Sequence, residues 1–164
     1  MPELSSENIR LHVTNALAED IRSGDVTTNA LISTNHQSEA CIIARENIVL
    51  CGVSLVQEVF RQLDSQCEFH LTNKDGHQVD EGGNIMSINA STRALLTGER
   101  TALNFLQKLS GIATVAALYA NEVKDSGALI LDTRKTTPGW RPMEKYAVQC
   151  GGARNHRQGL DDLI

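Results

Sequence analysis

The run Ala128–Asp132, "ALILD", constrains the fold more than any other stretch of the 164-residue chain. Its apolar residues follow one another without break, enter from Gly127 and leave through a carboxylate. That pattern has neither the 3.6-residue period of an amphipathic helix nor the alternation of a half-exposed strand; it reads as a strand covered on both faces in a parallel sheet. The tract before it, Thr92–Lys124, reads as helix, and the polar loop after it leads to a helix around "MEKYAVQC", so the opening of a β/α series is expected. "GLDDLI" then begins another apolar stretch. Two strands cannot cover both faces of their own sheet, so this unit is expected to continue in a longer polypeptide or to need a partner.

Upstream the pattern differs. Ile9, Val13, Ala16 and Leu17 recur at helical spacing behind Ser5 and Ser6, either of which can cap a helix that ends near "IRSGDVTT". "EACIIAR", "NIVLCG", "CEFHL" and "NIMSINA" read as strands, and "GVSLVQEVFRQL" as a helix. Asp75-Gly76 and "DEGGN" mark turns. The long tract from Thr92 is expected to break near Ser110-Gly111 into two helices, with Ser110 as a helix-end residue. The expected organisation is therefore mixed α/β: a small sheet with helices on one face over 1–110, then the first β/α elements of a second domain over 111–164.

The overall formal charge of −5 disfavours nucleic acid and anionic lipid as partners, so any anion binding must be local. The N-terminal "MPELSSENIRLHV" lacks the basic and long apolar regions of a signal peptide, and no stretch approaches the roughly 18 apolar residues of a membrane span. A cytoplasmic location is the expectation. Cys41, Cys51, Cys67 and Cys150 form no C-x-x-C pair and are expected to be reduced and mostly buried. His12, His36, His70 and His77 show no metal-ligand spacing, and no protein-held zinc is expected.

Positive charge is nevertheless concentrated between Asp132 and Arg157. Arg134, Lys135, Arg141, Lys145, Arg154 and Arg157 face only Asp132 and Glu144, a local formal charge of +4. A solvated helix face would explain such a run. Its position just beyond a strand end favours a ligand instead, because loops at strand C-termini hold ligands in open sheets and barrels. Arg134, Arg154 and Arg157 offer planar forks for oxyanions, Thr136 and Thr137 add hydroxyls, and "CGGAR" lets backbone approach closely. The expected ligand is small and multiply anionic. G-x-G-x-x-G, the P-loop and a serine elbow are all absent from the sequence.

"EDIRSGDVTT", "GERTALNFLQKLSGIAT", "DTRKTTPGWR" and "EKYAVQCGGARNHRQGL", in this order, resemble the quinolinate phosphoribosyltransferases. The resemblance runs from about Glu19 to the last residue; Ala153 stands where the family more often has a third glycine. It implies an N-terminal open-faced α/β sandwich followed by the beginning of an α/β barrel. The implied reaction joins quinolinate and phosphoribosyl pyrophosphate into nicotinate mononucleotide, pyrophosphate and carbon dioxide, with magnesium, in de novo NAD synthesis. Arg134 and Arg157 would bind quinolinate with His156 close by, and Lys135 would approach phosphoribosyl pyrophosphate; Lys135 and His156 are the implied catalytic residues. By itself Arg100 reads as an exposed helix charge. The resemblance implies that it reaches the other subunit's site in a homodimer.

The family continues with a further Lys and with acidic residues at the phosphoribosyl pyrophosphate and magnesium end of the site, and none of these lies within the sequence. The expectation is that the 164-residue piece alone is inactive and offers no identifiable metal ligand. Two other readings carry different expectations. A related phosphoribosyltransferase would take another heteroaromatic acid, and a non-catalytic anion-binding or dimerisation fragment would bind without releasing pyrophosphate.

Overall fold

In the computed structural model, which describes residues 4–162, the first helix begins where Ser5 Oγ accepts a hydrogen bond from the Asn8 N–H (3.2 Å). This helix, α1 (Ser6–Ile21), buries Val13 and Leu17. A short second helix that the periodicity does not resolve, α2 (Val26–Leu31), is capped by Asp25, whose carboxylate also accepts from Thr97 Oγ1 (3.0 Å).

The sheet expected over the first ninety residues is two small sheets. β1 (Gln37–Ile43), β5 (Asn84–Ser91) and β3 (Glu68–Leu71) form an antiparallel sheet in the order β1-β5-β3. β2 (Ile48–Val49) pairs only with β4 (Gln78–Val79). Between β2 and β4 runs α3 (Val53–Leu63), entered through Gly52 at φ +110, a conformation that favours glycine. Asp75 does more than mark a turn: its Oδ1 accepts from the Gly52 and Val53 N–H groups (3.0 and 3.1 Å) and so caps α3.

Residues alternate along β1 between exposed and half-buried, and β3 is largely exposed, whereas Met86, Ile88 and Ala90 of β5 are buried. One face of the sheet is thus open. The other shares a single apolar cluster with Val56, Val59 and Phe60 of α3 and with Leu95, Ala102, Phe105 and Leu109 of the long helix that follows.

That helix, α4 (Thr92–Glu122), is continuous, and the expected break at Ser110-Gly111 does not occur. At 31 residues it is about 46 Å long. Ser110 is buried inside it rather than ending it. Its Oγ accepts from the Cys51 N–H (3.0 Å) and donates to the Cys51 carbonyl (3.2 Å), satisfying backbone at the β2–α3 junction. Gly111 faces open space, and its cost of about 1 kcal/mol is small beside the packing on either side. The division expected between 110 and 111 therefore falls within one helix.

The expected two-sided burial of 128–132 also fails. After α4 the chain turns through Gly127 (φ +75), and Leu129 and Leu131 are 57% and 53% exposed. Among the described residues pairing is limited to one parallel bridge, Leu131 with Arg154, in which Arg154 N–H donates to Ile130 O (2.9 Å) and Asp132 N–H to Arg154 O (3.0 Å). A parallel strand is buried only when neighbours flank it. Among the described residues one neighbour is present. The end of "GLDDLI", residues 163–164, lies outside the described residues.

The last helix, α5 (Arg141–Cys150), starts with Pro142 in its first turn and buries Met143, Ala147 and Cys150. Gly151 at its end abuts the Ala113 carbonyl of α4 so closely that no Cβ would fit. Gly151 of "CGGAR" therefore serves helix–helix packing, and Gly152 takes φ +84, a conformation that favours glycine, in the turn that follows α5. Trp140 stacks on Phe105 with ring centroids 5.3 Å apart, and His12 Nε2 lies 2.8 Å from the Gly139 carbonyl, so α1 and α4 both hold the Thr-Thr-Pro-Gly loop. Of the four cysteines only Cys51 and Cys150 are buried; Cys41 is exposed and Cys67 half-buried.

Candidate active site

The concentrated positive charge divides into two groups. Lys145 is buried at 1% exposure, and its Nζ lies 2.5 Å from Asp132 Oδ1. It is neutralised by that carboxylate and donates also to the His156 carbonyl (2.9 Å), so it cannot belong to the ligand-binding set its charge predicts. Arg141 is likewise engaged with protein. Its guanidinium donates to Thr136 Oγ1 (3.1 Å), to the Arg134 carbonyl (3.3 Å) and to the Gln158 carbonyl (3.0 Å).

Asp132 is the junction of the site. Its Oδ1 accepts from the His156 N–H (2.7 Å) as well as from Lys145. With its amide oriented to satisfy its neighbours, Asn155 donates to Asp132 Oδ2 and to the Lys145 carbonyl, each at 2.9 Å. The segment carrying Arg134 and Lys135 and the segment carrying His156 and Arg157 are thereby held side by side. Sequence reading missed Asp132 and Asn155. The available signal was a carboxylate ending an apolar run, where an unpaired charge would be costly.

The remaining cations are free to meet a ligand. Arg134 is half-buried, and its Nε is a buried donor with no partner among the described residues. Lys135 is exposed on the wall of a groove of about 830 Å³ between α4 and the 130–136 segment. Thr133, Thr136 and Glu144 line the same groove, as do the apolar Ile112, Val115 and Tyr119. His156 and Arg157 are half-buried and Arg154 is exposed. Of the site residues named from the sequence, Lys135 lines this groove; Arg134, His156 and Arg157 do not, and neither does Arg100, which is exposed on α4. Nearby, Tyr146 donates to Asp75 Oδ2 (2.9 Å); burial and the Asp75 carboxylate hold its hydroxyl far above the ordinary range, so it stays neutral and structural. Among the described residues no three His, Cys, Asp or Glu side chains are grouped so as to hold a metal ion. No helix among them is long and apolar enough to cross a membrane.

Fold and site together define an α/β protein with arginine and lysine side chains left unengaged at the end of an incompletely paired β/α unit. Residues 25–110 match the family model for the quinolinate phosphoribosyl transferase N-terminal domain, and residues 112–164 match that for its C-terminal domain. The chain belongs to the quinolinate phosphoribosyl transferase family. It is 43% identical over 148 residues to a probable carboxylating nicotinate-nucleotide pyrophosphorylase of Synechocystis, covering 90% of this chain and 50% of that protein. A second probable carboxylating nicotinate-nucleotide pyrophosphorylase, from Bacillus subtilis, is 42% identical over 146 residues, 89% of this chain and 50% of its own length. The crystal structure of NadC from Streptococcus pyogenes superposes with a TM-score of 0.96 at 42% identity, covering all of this chain and 58% of that one. The chain thus spans about half the length of these curated relatives.

Proposed function

We propose that the polypeptide carrying this chain transfers the phosphoribosyl group of phosphoribosyl pyrophosphate to quinolinate with decarboxylation, in NAD synthesis. The observation that carries this reading is the buried, partnerless Nε of Arg134 beside Lys135, on a segment tied through Asp132 to His156 and its neighbour Arg157. Quinolinate brings two carboxylates, and planar forks from Arg134 and Arg157 match them. Each charge-assisted bond contributes about 1.5–3 kcal/mol, so two forks acting together can offset the desolvation of a dianion where one cannot.

Lys135, as an exposed point charge, suits the pyrophosphate, which leaves as the ribose carbon gains oxocarbenium character. The ring nitrogen then forms the new bond to that carbon. Quaternised nitrogen stabilises the carbanion left when the adjacent C2 carboxylate departs as carbon dioxide, and C2 then takes a proton from solvent, so the protein's task is chiefly orientation and charge neutralisation. His156 is assigned to positioning a carboxylate. Magnesium would arrive with phosphoribosyl pyrophosphate; the described residues contain no group of His, Cys, Asp or Glu to hold it. Arg100 is assigned to the partner's site in a homodimer, supported by its exposure on α4 away from the groove. A cytoplasmic location completes the reading.

Quinolinate-dependent pyrophosphate release, measured with magnesium and phosphoribosyl pyrophosphate on the full natural polypeptide, tests the assignment. Turnover with quinolinate but not nicotinate supports it; no turnover refutes it. Mixing Arg100→Ala protein with Arg134→Ala protein tests the shared site, since a homodimer that exchanges Arg100 regains activity in the mixture.

A further inference from the structure

Arg141 and Lys145 lie one turn apart on α5, and each reaches both segments of the site. Lys145 Nζ bonds Asp132 on one segment and the His156 carbonyl on the other (2.5 and 2.9 Å). Arg141 bonds the Arg134 carbonyl on the first and the Gln158 carbonyl on the second (3.3 and 3.0 Å). Of the residues assigned to the substrates, Arg134 and His156 have their carbonyls bonded by these rungs, and Lys135 and Arg157 are their chain neighbours. We propose that Arg141 and Lys145 are positioning residues, a two-rung clamp on α5 that sets the distance between the Arg134 and Arg157 forks and hence the fit to a dicarboxylate.

This rests on the reaction proposed above. Stability alone is a weak explanation of the lower rung. A buried ion pair gives up much of its attraction to desolvation, and well-packed apolar residues often replace one at no loss. An apolar pair could not accept from the His156 N–H or donate to its carbonyl. The lower rung therefore specifies where the second segment sits relative to the first. The upper rung does so without burial, since Arg141 is only half-buried and all three of its acceptors belong to these two segments.

The test uses the full natural polypeptide and follows the KM for each substrate separately. KM is independent of how much enzyme is folded, so a residue that only stabilises lowers apparent kcat and leaves KM unchanged. Lys145→Met is expected to raise the quinolinate KM about tenfold and to lower kcat/KM for quinolinate about 100-fold, the order expected for a misplacement of about 1 Å. Should Lys145→Met fail to fold, Arg141→Gln decides alone: it removes the upper rung at a half-buried position and is expected to raise the quinolinate KM in the same direction. Unchanged quinolinate KM in the folded variants overturns the clamp. A rise confined to the phosphoribosyl pyrophosphate KM in Arg141→Gln also overturns it, because Arg141 would then be a ligand for that substrate. Absence of turnover in the unsubstituted protein would instead refute the reaction itself.

Discussion

Gly151→Ala should damage the site from outside it. Gly151 ends α5, and an alanine Cβ there would collide with the Ala113 carbonyl while lying 2.7 Å from Ala116 Cβ and 2.9 Å from Ala117 N. Two of these three neighbours are backbone atoms in the middle of α4, so no rotamer change relieves the overlap. Carbon atoms prefer a separation of about 3.5–4.0 Å, so α5 has to back away from α4 by about 1 Å. Overpacking of this kind costs about 1–3 kcal/mol. A displaced α5 carries Arg141 and Lys145 with it, and through them the Arg134 and His156 carbonyls. Unfolding in urea should therefore register a loss of about 1–3 kcal/mol, and kcat/KM for quinolinate should fall about 100-fold in the protein that remains folded. A variant within about 0.5 kcal/mol of the parent, the usual range of a neutral surface substitution, with an unchanged quinolinate KM would refute both the tight packing and its connection to the site.

Ser110→Ala leaves the Cys51 N–H and carbonyl buried without their partner and should cost about 1–3 kcal/mol, read from urea unfolding. His12→Leu removes the tie to Gly139 and should cost about 1 kcal/mol; emission from Trp140, the single tryptophan, should shift to the red as the loop loosens from Phe105. The Ser91 and Gln66 N–H groups hold the Asp64 carboxyl below its ordinary range. Its contribution is present above the unfolded-state value near 3.9 and is lost as pH falls through the lowered folded value. Asp64→Asn should therefore flatten the acid limb of stability, measured as urea midpoint against pH, from about pH 5 downward. Arg134→Lys keeps the charge but loses the fork, and should raise the quinolinate KM more than the phosphoribosyl pyrophosphate KM in steady-state kinetics.

The elements legible in the sequence are those whose cause is local. Ser5 caps α1 and the Val53–Leu63 periodicity builds α3, because a cap and an apolar stripe act within a few residues. The illegible ones depend on partners far along the chain. Ser110-Gly111 has the composition of a helix end, yet Ser110 stays helical because Cys51, 59 positions away in sequence, offers both a donor and an acceptor. "ALILD" has the composition of a buried strand, but its only bridge among the described residues is to Arg154, and composition cannot supply a missing neighbour.

The same division explains the charges. Residue type and position single out Arg134 and Arg157 as candidates for a ligand, but counting cations could not separate them from Lys145 and Arg141, which the structure engages with protein. Lys145 meets its carboxylate 13 positions away, and Arg141 meets carbonyls that bear no sequence signature at all. Of the six cations in one stretch, two are bonded within the protein, and the other four are the ones proposed to meet a ligand. The consequence is directional. Neutralising Arg134 or Arg157 should weaken an anion's binding by removing one ionic interaction, and should make the remaining affinity less sensitive to salt. Replacing Lys145 alone would leave the buried Asp132 carboxylate uncompensated; replacing the pair together, Lys145→Met with Asp132→Asn, removes no net charge from the groove, because the two cancel. The double variant's effect on quinolinate should change little from low to high ionic strength, which separates a displaced fork from a missing charge.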